Sequence, residues 1–177
     1  MFLSTEGTLM DELARVLGHE RRLLELLLFK LVEGKHLLAA GEARFLPYAA
    51  AEVERAMEKL QEAELRRSIR VHRLAADLAV PDTALTMTAL ANDSAEPFRT
   101  IFADHRQAFL ELAAEIETVT DQNRRAATLE ADHSTLEDLD LDLADSVMDC
   151  QMAQAGYQAV FGATAHLPMP SLVDFLR

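Results

Sequence analysis

One cysteine, six glycines, five prolines and seventeen basic side chains are few for a chain of 177 residues. A lone Cys150 excludes an internal disulfide and any thiolate cluster for zinc, and so points to a reducing compartment. So few glycines and prolines cannot supply the frequent turns of an all-β sandwich, nor the repeat of a collagen-like fibre. No apolar run approaches the roughly 20 residues needed to span a bilayer, and the opening MFLSTEGTLMDEL has no basic leader followed by an apolar stretch. The expectation is a chain that is neither exported by a cleaved signal nor inserted in a membrane. Thirty acidic side chains give a net charge of −13, which repels nucleic-acid phosphates and anionic headgroups, so nucleic acid is not an expected partner.

Half of the residues are apolar and 27% are charged, enough to bury a sizeable core in one domain, or in one domain plus a segment that does not fold alone. Charge is unevenly spread. Residues 1–125 hold 21 acidic and 16 basic side chains, whereas residues 126–177 hold 9 acidic ones and only Arg177 as a base. The texture changes at the same place, from Leu- and Arg-rich helix to LEADHSTLEDLDLDLAD, in which Asp alternates with Leu.

Apolar residues at Met10, Leu13, Leu17, Leu24, Leu27, Leu31 and Leu38 recur at helical spacing and predict one long amphipathic helix. Val16, Leu23, Leu28 and Phe29 widen that stripe, so more than one neighbouring helix is implied. Gly41 suits the left-handed position after a helix end and Pro47 the first turn of the next helix. A second helix from Pro47 to Leu78 carries Val53, Met57, Leu60, Ala63, Val71, Leu74 and Leu78 on one side, antiparallel to the first. Asp82 or Thr83 caps a short helix through Leu90, and Ser94 with Pro97 starts a third long one. Its stripe is Phe98, Phe102, His105, Phe109, Leu112, Ile116, Val119, Asn123 and Ala126. A break is expected between about Ala127 and Asp140, then a further helix from about Asp142 to Ala165. The closing SLVDFLR, with Leu172, Val173, Phe175 and Leu176, is too apolar for a solvated end and requires a surface.

No constellation for catalysis is present. Asp138, Asp140, Asp142 and Asp145 lack the glycine and closing glutamate of a calcium loop, and no histidine pair at i, i+4 offers a zinc face. Cys150 has no neighbouring cation to activate it, and Gly41, Gly156 and Gly162 do not make a phosphate loop. Neither an enzyme nor a bound cofactor or metal is expected. Asn123, a polar residue on an apolar stripe, suits a register-setting role or a helix surface.

The strings LARVLGHERRLLELLLFKLVEGKHLLAAGEARFL (Leu13 to Leu46), AAAEVERAMEKLQEAELRRS (Ala49 to Ser68), EPFRTIFADHRQAFLELAAEIE (Glu96 to Glu117) and NRRAA (Asn123 to Ala127), in this order, resemble the FlgN family of flagellar export chaperones over about residues 1–128. The remainder, Leu136 to Arg177, is similar to the end of the hook-filament junction proteins of the FlgL type. The Asp-rich start is Asp138 to Asp145, the YQA element is Tyr157 to Ala159, and the closing segment is Ser171 to Arg177, with Val173 where leucine is common.

What the resemblance implies is a cytoplasmic bacterial chaperone (1–128), a junction (129–135) and a cargo segment (136–177) joined as an engineered fusion. The fold expected is an all-α antiparallel bundle or coiled coil of long helices with a docked cargo helix. Phe102, Phe109, Leu112, Ile116 and Val119 are the expected chaperone contacts, and Leu143, Val147, Tyr157, Phe161 and Phe175 the expected cargo anchors. Partners implied are the last helix of hook-filament junction proteins, exported onward to the flagellum, and the export apparatus. Exchange of cargo helices between copies would give a homo-oligomer. The alternative is a single native all-α coiled-coil adaptor or dimerisation protein with no cargo segment.

Overall fold

The computed structural model describes residues 3–137 and 169–176, and every regular element among them is helical. The order is α1 (Leu3–Ala39), α2 (Leu46–Leu78), α3 (Met87–Asp93), α4 (Phe98–Glu137) and α5 (Met169–Leu176), with single 3₁₀ turns at Ala43–Phe45 and Asp82–Ala84. The all-α fold read from the sequence is what is found. By contacts the chain divides into two compact units, each taking one segment of α1, of α2 and of α4. One comprises Met1–Glu25, Glu58–Ala113 and Pro168–Arg177, and the other Leu26–Met57 and Ala114–Leu167.

In the first unit many residues of the stripes are buried, namely Met10, Leu13, Leu17 and Leu24 of α1, Leu60, Ala63, Val71 and Leu74 of α2, and Phe102 and Phe109 of α4, whereas Leu78, Phe98, His105 and Leu112 are half-buried. Ion pairs fix the direction of α2 against α1 there, because Glu12 meets Arg70 at 2.8 Å while Glu20 meets Arg67 at 3.0 Å. As α1 ascends, α2 descends, so this pairing is antiparallel. Thr86 caps α3, its hydroxyl accepting from the Ala89 amide at 3.2 Å. The cap therefore falls on neither Asp82 nor Thr83, which lie in the preceding 3₁₀ turn, and Ser94 ends α3 instead of starting α4. Glu96 serves α4, its carboxylate accepting from the hydroxyl of Thr100 at 3.0 Å and from its amide at 3.4 Å.

In the second unit Leu27, Leu31, Val53, Met57, Ile116 and Val119 are buried, and Leu38, Leu46 and Ala127 form one cluster with Leu37, Ala43 and Ala126 packed against it. Asn123 does not lie on a helix surface: it is 1% exposed, and its amide nitrogen donates to the Leu31 carbonyl at 2.9 Å. Lys30 joins α1 to α2 through Glu52 at 2.6 Å. The α1–α2 turn closes as expected at Gly41, whose φ of +66° lets its amide reach Leu38 O and the Glu42 amide reach Leu37 O, so two orphan carbonyls are satisfied. Phe29 departs from the widened stripe. It is 54% exposed, with the Lys30 ammonium 4.9 Å from its ring centre.

The expected break after Ala127 is absent up to Glu137, because α4 runs through it. His133, Ser134 and Thr135 each cost only a few tenths of a kcal/mol relative to good helix formers. With no glycine or proline there and Ala126, Ala127, Leu129, Glu130 and Ala131 around them, that cost does not stop a helix already propagating. The helix expected over 142–165 lies outside the described residues.

Candidate helix-binding site

Glu20 occupies the face of α1 that carries Leu17 and Leu24, and Arg67 the face of α2 that carries Ala63 and Val71. Opposite charges inside two apolar stripes must meet or be expelled, since a lone buried charge is prohibitively costly. They meet. Arg67 Nε donates to both carboxylate oxygens of Glu20, at 3.0 and 3.2 Å, and Arg67 Nη2 donates to Glu64 at 3.5 Å. The Glu20 side chain is wholly buried and that of Arg67 is 6% exposed. Burial raises the Glu20 carboxyl from 4.5 to about 7, outweighing the Arg67 charge and hydrogen bond that pull it down.

With its edge taken by carboxylates, the guanidinium offers its face. That face lies 4.4 Å from the ring centre of Phe175 in α5, a cation–π contact in a desolvated setting. The second fixed point of α5 is a carbonyl. Leu176 O, at the helix end where no intrahelical donor remains, accepts from Thr88 Oγ1 at 3.2 Å and from Arg106 Nε at 3.3 Å, and Arg106 Nε also donates to Thr88 Oγ1 at 3.0 Å. A cation at a helix C-terminus also complements its dipole. Leu172, Phe175 and Leu176 are buried, and α5 packs on α3. The first unit thus holds an apolar helical segment in a cradle rimmed by Arg67 from α2, Thr88 from α3 and Arg106 from α4. This is chemistry for gripping a helix, with an aromatic contact, an apolar floor and a clamp on the terminal carbonyl.

The residues predicted from the sequence fall in different places. Phe102 and Phe109 are fully buried in the first unit, where Leu112 is half-buried; Ile116 and Val119 are buried in the second. Phe175 is held in the cradle, whereas Leu143, Val147, Tyr157 and Phe161 lie outside the described residues. Sequence reasoning missed Glu20, Arg67, Thr88 and Arg106. A signal existed for the first two, since each interrupts an apolar stripe at helical spacing; Thr88 and Arg106 gave none. His105, half-buried, stacks near Phe109 with ring centres 6.2 Å apart, and burial lowers its pKa from 6.5.

Fold and cradle together define an all-α protein whose first unit holds the chain's own α5. The family model for FlgN protein matches residues 3–136, and the chain belongs to that family. It is a family of flagellar export chaperones, not of enzymes. No curated protein and no solved structure matches this chain. Among the described residues no helix is long and apolar enough to cross a membrane, and no group of His, Cys, Asp or Glu is arranged to hold a metal ion.

Proposed function

We propose that this protein is a cytoplasmic holding chaperone of flagellar export, which masks the last amphipathic helix of hook-filament junction proteins until the export apparatus receives them. The observation that carries this reading is the cradle on α5: an apolar segment similar to a junction-protein ending is gripped through Phe175, Leu176 and the clamp of Thr88 and Arg106. Laying an amphipathic helix into an apolar groove is a common recognition mode. In this reading 1–128 is the chaperone and 136–177 a tethered cargo segment, at an effective concentration in the mM range for a short linker. Leu143, Val147, Tyr157 and Phe161 are then further anchors, with Phe102, Phe109, Leu112, Ile116 and Val119 as their seat. Exchange of cargo helices between copies is the route to a homo-oligomer.

A second reading, one native helical adaptor without a cargo segment, is favoured by α4 running unbroken to Glu137, across the proposed junction. Truncation after residue 135 separates the two. A soluble, helical remainder that rebinds a synthetic peptide of residues 136–177 in calorimetry is expected. Loss of cooperative folding on truncation would instead support the integrated adaptor.

A further inference from the structure

Phe175 of α5 lies against a buried charge, and that charge is itself held by Glu20 and Glu64. Arg67 gives its Nε edge to Glu20 and its Nη2 to Glu64, which fixes the plane of the guanidinium and leaves a face for the segment in the cradle. An aliphatic side chain at position 175 would fill the same apolar space yet place no π-electrons under the cation, whereas a ring does. Directly after the ring comes Leu176, buried, with its carbonyl clamped by Arg106 and Thr88. The cradle therefore tests two adjoining features, an aromatic ring and the aliphatic residue that follows it.

We propose that Arg67 is the specificity-determining residue of the cradle: it selects helical segments that place an aromatic side chain directly before an aliphatic one, in the positions of Phe175 and Leu176. This rests on the reading of the cradle as a cargo site, and extends it to the chemistry of the cargo. The selectivity belongs to the pair of guanidinium and ring, so it vanishes when either is replaced, whatever the apolar volume.

A double-mutant cycle in the full-length chain tests it, read by hydrogen exchange of the amides of residues 174–176. Phe175→Leu is expected to raise the opening of α5 about ten-fold, within the range of desolvated cation–π contacts. In a Glu20→Gln/Arg67→Met background, which removes both buried charges together and so leaves neither stranded, the same replacement should change opening two-fold or less. Equal changes in the two backgrounds would overturn the proposal. The chain has no tryptophan, so Phe175→Trp supplies a single fluorophore as a second measurement. Its emission should stay blue-shifted with Arg67 present and move red in the double-charge-removal background; unchanged emission counts against selection by Arg67.

Binding in trans separates this inference from the reading beneath it. Full-length chain with its own α5 undocked by Leu172→Asp is titrated with the peptide 136–177 and with its Phe175→Leu form. Binding of the parent peptide about ten-fold tighter supports both. Equal binding of the two sinks selection by Arg67 while the cargo site stands. Binding of neither sinks the cargo site, and the cycle within the chain still decides the role of Arg67.

Discussion

Glu20 and Arg67 show how one buried pair can hold a site together without adding much stability. Two ions taken from water cost several kcal/mol each, and their attraction repays this only while both are present. Arg67→Met strands the Glu20 carboxylate in the first unit, so a loss of about 3–5 kcal/mol is expected in urea unfolding at pH 8. Adding Glu20→Gln should recover most of that loss; failure to recover would mean that Arg67 acts chiefly through packing. The same carboxyl gives a pH dependence. Its folded value of about 7 lies above the ordinary 4.5, so between these the folded chain holds a proton that the unfolded chain has released. Its contribution to stability is complete below about 4.5 and disappears as pH rises through about 7. His105 works in the opposite sense: with its pKa lowered from 6.5 by burial, its contribution is present above 6.5 and is lost as pH falls. Measured against Glu20→Gln, which keeps His105, the unmodified chain should lose stability as pH rises from 5 to 8. A difference that stays flat with pH would refute burial as the controlling effect on Glu20.

At the scale of elements, the contrast lies between the three long helices, which carry extended stripes, and the short α5. α5 has eight residues, and among its described side chains Leu172, Phe175 and Leu176 are buried and contribute about 1.5–3 kcal/mol each, against roughly 1–2 kcal/mol per residue needed to order it. Its docking is therefore marginal. Amides of α5 should exchange at least a hundred-fold faster than those of α1 near Leu24 or α2 near Leu60; equal protection would show that α5 opens only with the whole unit. α1 contains a different opportunity. A methyl group at Gly18 would meet only the His105 ring at 3.7 Å and Arg22 at 3.9 Å, ordinary contact distances. Gly18→Ala should then stabilise α1 by about 0.5–1 kcal/mol, seen as a higher urea midpoint, because glycine in a helix interior loses more backbone freedom. A lower midpoint would mean that α4 cannot accept the added methyl beside His105. Whereas α1 begins at Leu3, before the first stripe residue Met10, the spacing of the stripes made the bounds of α2 and the start of α4 legible to within a few residues. The end of α4 was not, because His133, Ser134 and Thr135 have weak propensities that a propagating helix absorbs.

For the whole molecule, the findings are membership of the FlgN family over residues 3–136 and an all-α fold. Apolar periodicity determined where the long helices run and which faces they bury, since a 3.6-residue repeat of leucines has one way to leave water. It also announced, through the apolar SLVDFLR, that the last segment needs a surface. Only the tertiary structure decided which surface. Glu20, Arg67, Thr88 and Arg106 are separated by up to 86 positions, and nothing local in a sequence says that four polar side chains on four helices will converge on one ring and one carbonyl. Hydrogen bonds and cation–π contacts act over a few ångströms in space, so the site came into being only when packing of the stripes brought those positions together.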